Sequence, residues 1–281
     1  MARRKTGSTA KSDGVTEPMS SPVVDEEGVP SRVLSLTIRA DWGHFRRVDR
    51  TVTKQTYRIP PRTTIAGLLA AICGVRRDGY YDVFARGASA IAIEPVGEYR
   101  TLTVPSLGLG TNPDETMETA GGSGQKSVKV RYPDSTDNRQ IHSYEVLVDP
   151  EYRIDVAVED EKFYTALKNH LEAGTSYYPP SMGLSEYLAK VEYHGEFEPT
   201  PVSSDTAVSV ESVVPDIVDD VVPSADSTHR VERMPGFMEA HDGGRRTTAF
   251  VDYAFTDTGA ITVNTDDGRP VEIDDRTVLF H

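Results

Sequence analysis

Between Val33 and Phe197 the chain sets out strand, helix, strand and then the same order again, and that succession restricts its fold more than any other feature. Val33-Leu-Ser-Leu-Thr-Ile38 alternates apolar and polar residues, as a half-buried strand does. Pro60-Pro61 cannot lie inside a helix, yet helix signals follow at once. Arg62-Thr63-Thr64 can cap, Ile65 to Cys73 is an apolar run of small and branched residues, and Gly74 is a stop. A short helix is expected over Tyr80 to Ala85, with strands at 89–96 and 100–104. In the second round, Tyr144 to Val148 and Tyr152 to Val158 read as antiparallel strands around the turn Asp149-Pro150-Glu151. Asp160 or Glu161 then opens a helix through Ala173, stopped by Gly174, and Leu188 to Phe197 is the last strand.

This βαββαβ order predicts an α+β protein with a ferredoxin-like, RRM-like core. Three additions surround it. Residues 1–31, rich in Ser, Thr, Pro and charge without periodicity, read as a disordered tail. Residues 105–140 form a long insertion, turn-rich at first and then carrying Gly121-Gly-Ser-Gly124 and the cations Lys126, Lys129 and Arg131. Residues 199–281 read as an acidic linker and a small β-rich C-terminal region, with strands over Thr247–Phe255 and Ile261–Asn264. The compact domain is thus expected over 32–198.

Charge is distributed unevenly along this plan. The 281 residues carry a net charge of −14, which at first sight repels polyanions. Residues 32–77, however, hold ten basic residues and only Asp41 and Asp49 as acids, a local +8. Residues 192–226 hold nine acids and no Lys or Arg. Only eight residues in the whole chain are Lys. A surface of short carboxylates with few lysines is what proteins of very salty cytosols carry. There the Debye length shrinks to about 3 Å, so local charge tells more about partners than the total does. No apolar run is long enough for a membrane helix, the N-terminus lacks the apolar stretch of a secretory signal, and a single cysteine, Cys73, leaves no disulfide framework. A cytoplasmic protein is expected.

Motifs narrow the choice. Gly43-His44-Phe45-Arg46-Arg47 leaves the first strand with an imidazole, a ring and two guanidiniums. Rings stack on bases and Arg holds phosphate by paired hydrogen bonds; the competing reading is an exposed basic turn with Phe45 in the core. Thr53 to Arg62 continues the theme with Lys54, Tyr57 and Arg58. Arg62 at a helix N-terminus suits an anion, against a proline-braced loop with Tyr57 buried. The seven histidines show no i,i+4 pair, Cys73 sits on an apolar helix face, and no Gly-x-Ser-x-Gly elbow occurs, so neither metal, cofactor nor nucleophile is expected. Gly121–Ser127 misses the phosphate-loop pattern because Gln125 separates glycine from lysine.

Three blocks resemble one family. The first is the turn at Gly43–Arg46 with Tyr57-Arg-Ile-Pro-Pro-Arg62-Thr-Thr-Ile-Ala-Gly-Leu-Leu-Ala-Ala-Ile-Cys-Gly74. The second is Tyr144-Glu-Val-Leu-Val-Asp-Pro150, and the third Ser176-Tyr-Tyr-Pro-Pro-Ser-Met-Gly183-Leu-Ser185. Together they resemble the CRISPR-associated Cas-five family of the RAMP superfamily, and the acidic composition is similar to its haloarchaeal, type I-B branch. The resemblance implies a non-catalytic subunit of the Cascade surveillance complex that caps the 5′ handle of the CRISPR RNA. It implies an RNA-binding palm at His44, Phe45, Arg46, Arg47, Lys54, Tyr57 and Arg62. It also implies a thumb hairpin over 105–140 with Lys126, Lys129, Arg131 and Arg139 on the RNA backbone. Backbone, large and processing subunits would be the protein partners, with target DNA near the protospacer-adjacent motif. The alternative is a metal-independent endoribonuclease, as in type I-C relatives, which place Lys-His-Tyr at the start of the second helix. Here that place reads Lys162-Phe163-Tyr164, and phenylalanine cannot transfer a proton.

Overall fold

A computed structural model describes residues 23–24, 29–47, 53–109, 118–119, 126–127, 139–202, 207–225, 227–241, 244–257, 259–264 and 270–281, with 108–140 described by backbone alone. The tail expected over 1–31 and the loops of the 105–140 insertion lie largely outside these residues. The main elements are β1 (Val33–Arg39), α1 (Arg62–Ile72), β2 (Ser89–Pro95), β3 (Arg100–Leu109), β4 (Arg139–Val148), β5 (Glu151–Val158), α2 (Glu161–Glu172) and β6 (Lys190–Phe197). After them come β7 (His229–His241), β8 (Gly244–Thr256), β9 (Val271–Ile273) and β10 (Arg276–Val278). The chain is α+β and rich in strand.

The central sheet has the order β6–β1–β5–β2, and every neighbouring pair is antiparallel. β1 and β2 therefore run parallel with β5 between them, while β5 and β6 run parallel on either side of β1. Two strand–helix–strand crossovers are interleaved. The period of two sends Leu34, Leu36, Ile38, Ile91, Ile93, Ile154 and Val156 to one face. There they meet Ile65, Leu68, Leu69 and Ile72 of α1 and Phe163, Leu167 and Leu171 of α2. Met234 and Phe237 of β7 and Val251, Tyr253 and Phe255 of β8 belong to the same core. On the opposite face Val33, Ala90, Ala92 and Ala157 are small, and Val271, Ile273 and Val278 cover them. Residues beyond 198 thus line both sides of the sheet. Arg276, brought over that second face, donates to Asp155 at 2.9 and 3.0 Å and to Glu94 at 2.8 Å.

Two local expectations need correcting. β4 and β5 do not form a hairpin. β5 joins the central sheet, whereas β4 pairs β3 in a separate ribbon running from Arg100↔Val148 to Leu109↔Arg139. The corner between them is pinned to the end of β1: Asp149, at φ 48°, donates its N–H to Asp41 O, and Ala40 N donates to Pro150 O. Turn residues between two strands announce a change of direction but not which sheet receives each strand. Second, Tyr80 to Ala85 forms turns rather than a helix, with Phe84 N bonded to Tyr80 O and Ala85 N to Asp82 O. A six-residue run between Gly79 and Gly87 has too few propagating bonds to offset the cost of nucleation.

Candidate nucleic-acid interface

β1 ends at Arg39, and the chain turns through Trp42–Gly43, which pair with Val148 and Leu147 at the root of the β3–β4 ribbon. The basic turn is therefore fixed to two sheets. His44 is buried there. Its N–H donates to Met182 O at 3.0 Å, and its Nδ1 lies 2.7 Å from Glu145 O. A carbonyl only accepts, so Nδ1 carries the proton, while Nε2 has no partner among the described residues. Burial lowers the His44 pKa, with Arg46 adding to the effect against opposing contributions from Glu145 and Glu186. Gly183 makes this packing possible. It has φ +92°, and a Cβ there would stand 2.0 Å from His44 O.

The burial pattern corrects four expected contacts. His44, Phe45, Tyr57 and Arg62 are enclosed and present nothing to an RNA. Phe45 packs edge-on against Tyr152 at 6.0 Å, and Phe45–Arg46 pairs with Thr56–Tyr57, so alternation turns both rings inward. Arg62, 1% exposed, spends its guanidinium on Phe84 O (2.7 Å), Ser89 O (3.2 Å), Ser89 Oγ (2.5 Å) and His281 O (3.3 Å). It is an internal strut. Arg46 is exposed and Lys54 half-exposed, and among the described residues neither forms an ion pair. Lys54 lies beside β4, opposite Tyr144. Arg47 is half-exposed, lies over the Tyr57 ring at 5.5 Å, and is 3.9 Å from a Glu232 carboxylate oxygen.

Glu232, on β7, is a residue that sequence reading missed. Nearly buried, it accepts from Arg58 N (2.9 Å) and the Arg58 guanidinium (3.1 Å). The +8 segment is thus partly neutralised from within. Arg32 is paired with Glu161, Arg47 and Arg58 with Glu232, and Arg77 with Asp78, while Arg62 is buried. Arg39, Arg46, Lys54 and Arg76 remain toward solvent without a carboxylate partner among the described residues. On the insertion, Lys126 pairs through its backbone with Thr119, and Arg139 opens β4 opposite Leu109. Their side chains, and all of Lys129 and Arg131, lie outside the described residues.

At the start of α2, Phe163 is buried edge-on against Phe84 at 5.3 Å. Tyr164 donates its hydroxyl to Glu196 at 2.7 Å, Lys168 donates to the other Glu196 oxygen at 2.6 Å, and Arg32 lies over the Tyr164 ring at 4.1 Å. Hydrogen bonds from Lys168 and Tyr164 hold Glu196 below the usual carboxylate range, while desolvation and Glu196 push the Tyr164 phenol up. Burial pushes the Cys73 thiol up to about 12, which suits a packed residue rather than a nucleophile. Among the described residues no group of His, Cys, Asp or Glu is placed to hold a metal ion, and no helix is long and apolar enough to cross a membrane.

No curated protein matches the sequence. Among solved structures, the chain is similar to one titled "CRISPR RNA-guided surveillance complex", at 15% identity over 83% of this chain and 91% of that one, TM-score 0.49. It is also similar to a "CRISPR protein from Archaeoglobus fulgidus", at 15% identity over 88% and 98%, TM-score 0.44. A further likeness is to a chain of "the Type III-B Cmr-beta bound to cognate target RNA and AMPPnP", at 12% identity over 81% and 86%, TM-score 0.45. The assignment itself rests on sequence: the family model described as "CRISPR-associated protein (Cas_Cas5)" matches residues 33–248, most of the chain. The chain belongs to the CRISPR-associated Cas5 family.

Proposed function

We propose that this protein is a non-catalytic subunit of a type I-B CRISPR effector complex that holds the 5′ handle of the CRISPR RNA. Family membership supports the setting. The observation that carries the RNA-binding role is the pair Arg46 and Lys54, solvent-facing cations beside the β3–β4 ribbon. The sheet β6–β1–β5–β2 with its two helices serves as the ferredoxin-like body, and the ribbon as the thumb that meets a neighbouring backbone subunit. Large and processing subunits, and target DNA near its protospacer-adjacent motif, complete the partners. The protein works in the cytoplasm, and its acidic composition suits a salty one.

Phosphate contacts made by Arg46 and Lys54 give affinity that falls steeply with salt. Replacing both by alanine is expected to lower the slope of log affinity against log salt by about two contacts' worth, read by titrating repeat RNA into the full chain. An unchanged slope overturns the palm assignment. Binding rather than cleavage is supported at the start of α2. A buried Phe163 moves no proton, and the Tyr164 hydroxyl is committed to Glu196. Repeat RNA incubated with the protein in a chelator should remain intact; site-specific cutting there would establish the ribonuclease reading instead.

A further inference from the structure

Phe45 and Tyr57, the rings expected to stack on unpaired bases, are in the core. Rings reach solvent nearby. After α2 the chain passes through Tyr177 and Tyr178, 66% and 46% exposed, with centroids 4.7 Å apart at 74°. Their backbone is held firmly. Tyr177 N donates to Ile72 O at 2.9 Å and Tyr178 N to Ala71 O at 3.0 Å. The first amide satisfies a carbonyl that the end of α1 leaves open, the second joins Gly74 N (3.2 Å) on Ala71 O, and both offset the partial negative charge there. Gly74, at φ +72°, lies against the Tyr177 ring, where a Cβ would come within 2.6 Å of ring Cγ. The glycine that stops α1 is also the floor on which this ring rests.

Charge accompanies the rings. Arg76 and Arg77 follow Gly74 and are both exposed; Arg77 is 3.8 Å from Asp78, and Arg76 has no carboxylate partner among the described residues. Toward its other end, the same loop places Met182 O on His44 N and Gly183 against His44 and Phe45. The tyrosine pair and the Arg46 turn are therefore braced on one segment. Two large rings exposed on a firmly held backbone, with two arginines two and three residues after the glycine against which Tyr177 rests, are the parts of a single-strand platform: rings take base faces and cations take phosphates. Tyrosine and arginine also anchor protein interfaces, so assembly with partner subunits is a separate outcome of the test below.

We propose that Tyr177 and Tyr178 form a stacking platform for unpaired bases of a single-stranded RNA, with Arg76 and Arg77 on its phosphates. This rests on the RNA-binding reading above and moves its aromatic component from the first basic turn to the loop after α2. The 74° between the rings prevents them from sandwiching one base, so the platform offers two differently oriented faces. Stacking survives salt that strips phosphate contacts, which suits a protein of this composition.

The test is a titration of the full chain with CRISPR repeat RNA carrying 2-aminopurine in its handle, from about 0.1 to about 1 M KCl. Wild type should bind with quenched fluorescence. Tyr177→Ala with Tyr178→Ala should weaken binding about tenfold or more at every salt, lose the quench and leave the salt slope unchanged. Tyr177→Phe with Tyr178→Phe should retain both affinity and quench, and Arg76→Ala with Arg77→Ala should lower the slope. If wild type binds and the alanine pair binds equally well, the platform is wrong while the RNA-binding reading stands. Phenylalanine variants as weak as alanine variants overturn it too. So does an alanine pair that keeps RNA but no longer joins its partner subunits. If wild type binds no RNA in any salt, both readings fall.

Discussion

Arg62 is a guanidinium buried without a carboxylate among its described contacts; four neutral oxygens and the Phe237 ring at 4.4 Å surround it. Burial lowers its pKa to about 10, so it stays charged at neutral pH. Truncation strands carbonyls that cannot reach water, so Arg62→Met should destabilise by about 3 kcal/mol in urea unfolding, and lysine, lacking the planar fork, should not restore it. One of its acceptors belongs to His281, whose ring packs on Phe237 and Tyr253 and whose Nε2 is 3.3 Å from Asp216. Burial, with Arg62 nearby, lowers the His281 pKa to about 4. The unfolded chain therefore binds that proton first. Stability should be flat above about pH 6.5 and fall toward pH 4, by at most about 1.4 kcal/mol per unit. His281→Gln should flatten that window in pH-dependent unfolding. Sequence placed Arg62 correctly at a helix start but read it as an anion site. Its partners lie up to 219 residues away, and no local pattern announces them. Tyr177 and Tyr178 were legible only as a family motif, because exposure is a property of packing.

Elements were more legible than contacts. Both helices fall where apolar spacing, Pro-Pro and the two stop glycines put them, since those signals act within a few residues. Of the two residues expected to open α2, Asp160 is the cap, accepting from Lys162 N at 2.9 Å and Phe163 N at 3.0 Å. Asp160→Ala should cost about 1 kcal/mol in thermal or denaturant unfolding. Strand partners were less legible, because the core β4 serves is decided by residues around 40 and 100. The ribbon β3–β4 carries Leu107 and Ile141 directly opposite one another, 62% and 75% exposed. Leu107→Asp with Ile141→Asp should leave the melting temperature within a degree or two, since neither side chain is buried. On the proposed function, the same pair should fail to co-elute with the backbone subunit in gel filtration.

For the molecule as a whole, a net charge of −14 is self-repelling at low ionic strength. Unfolding temperature should rise from about 0.1 to about 1 M KCl as screening shortens the reach of that repulsion; a flat profile would leave the acidic surface without that role. The basic segment survives within this acidic total because its cations are divided between internal partners and solvent. The C-terminal third supplies much of that arrangement: Glu232 braces Arg58, and Arg276 bridges Asp155 and Glu94 across the sheet. A fragment ending at residue 198 would expose the apolar surface that Met234, Phe237, Val251 and Tyr253 cover, and should be insoluble. Arg276 reaches Ser35 across 241 positions, and β1, made first, finds its sheet partners only at 151–158 and 190–197. During synthesis, therefore, the central strand waits open on the ribosome until most of the protein has been made. Closure of so long a loop is slow, and the nascent chain meets the risk of aggregation before it has an interior. Expression at low temperature or with chaperones should raise soluble yield far more than it changes the stability of the finished fold.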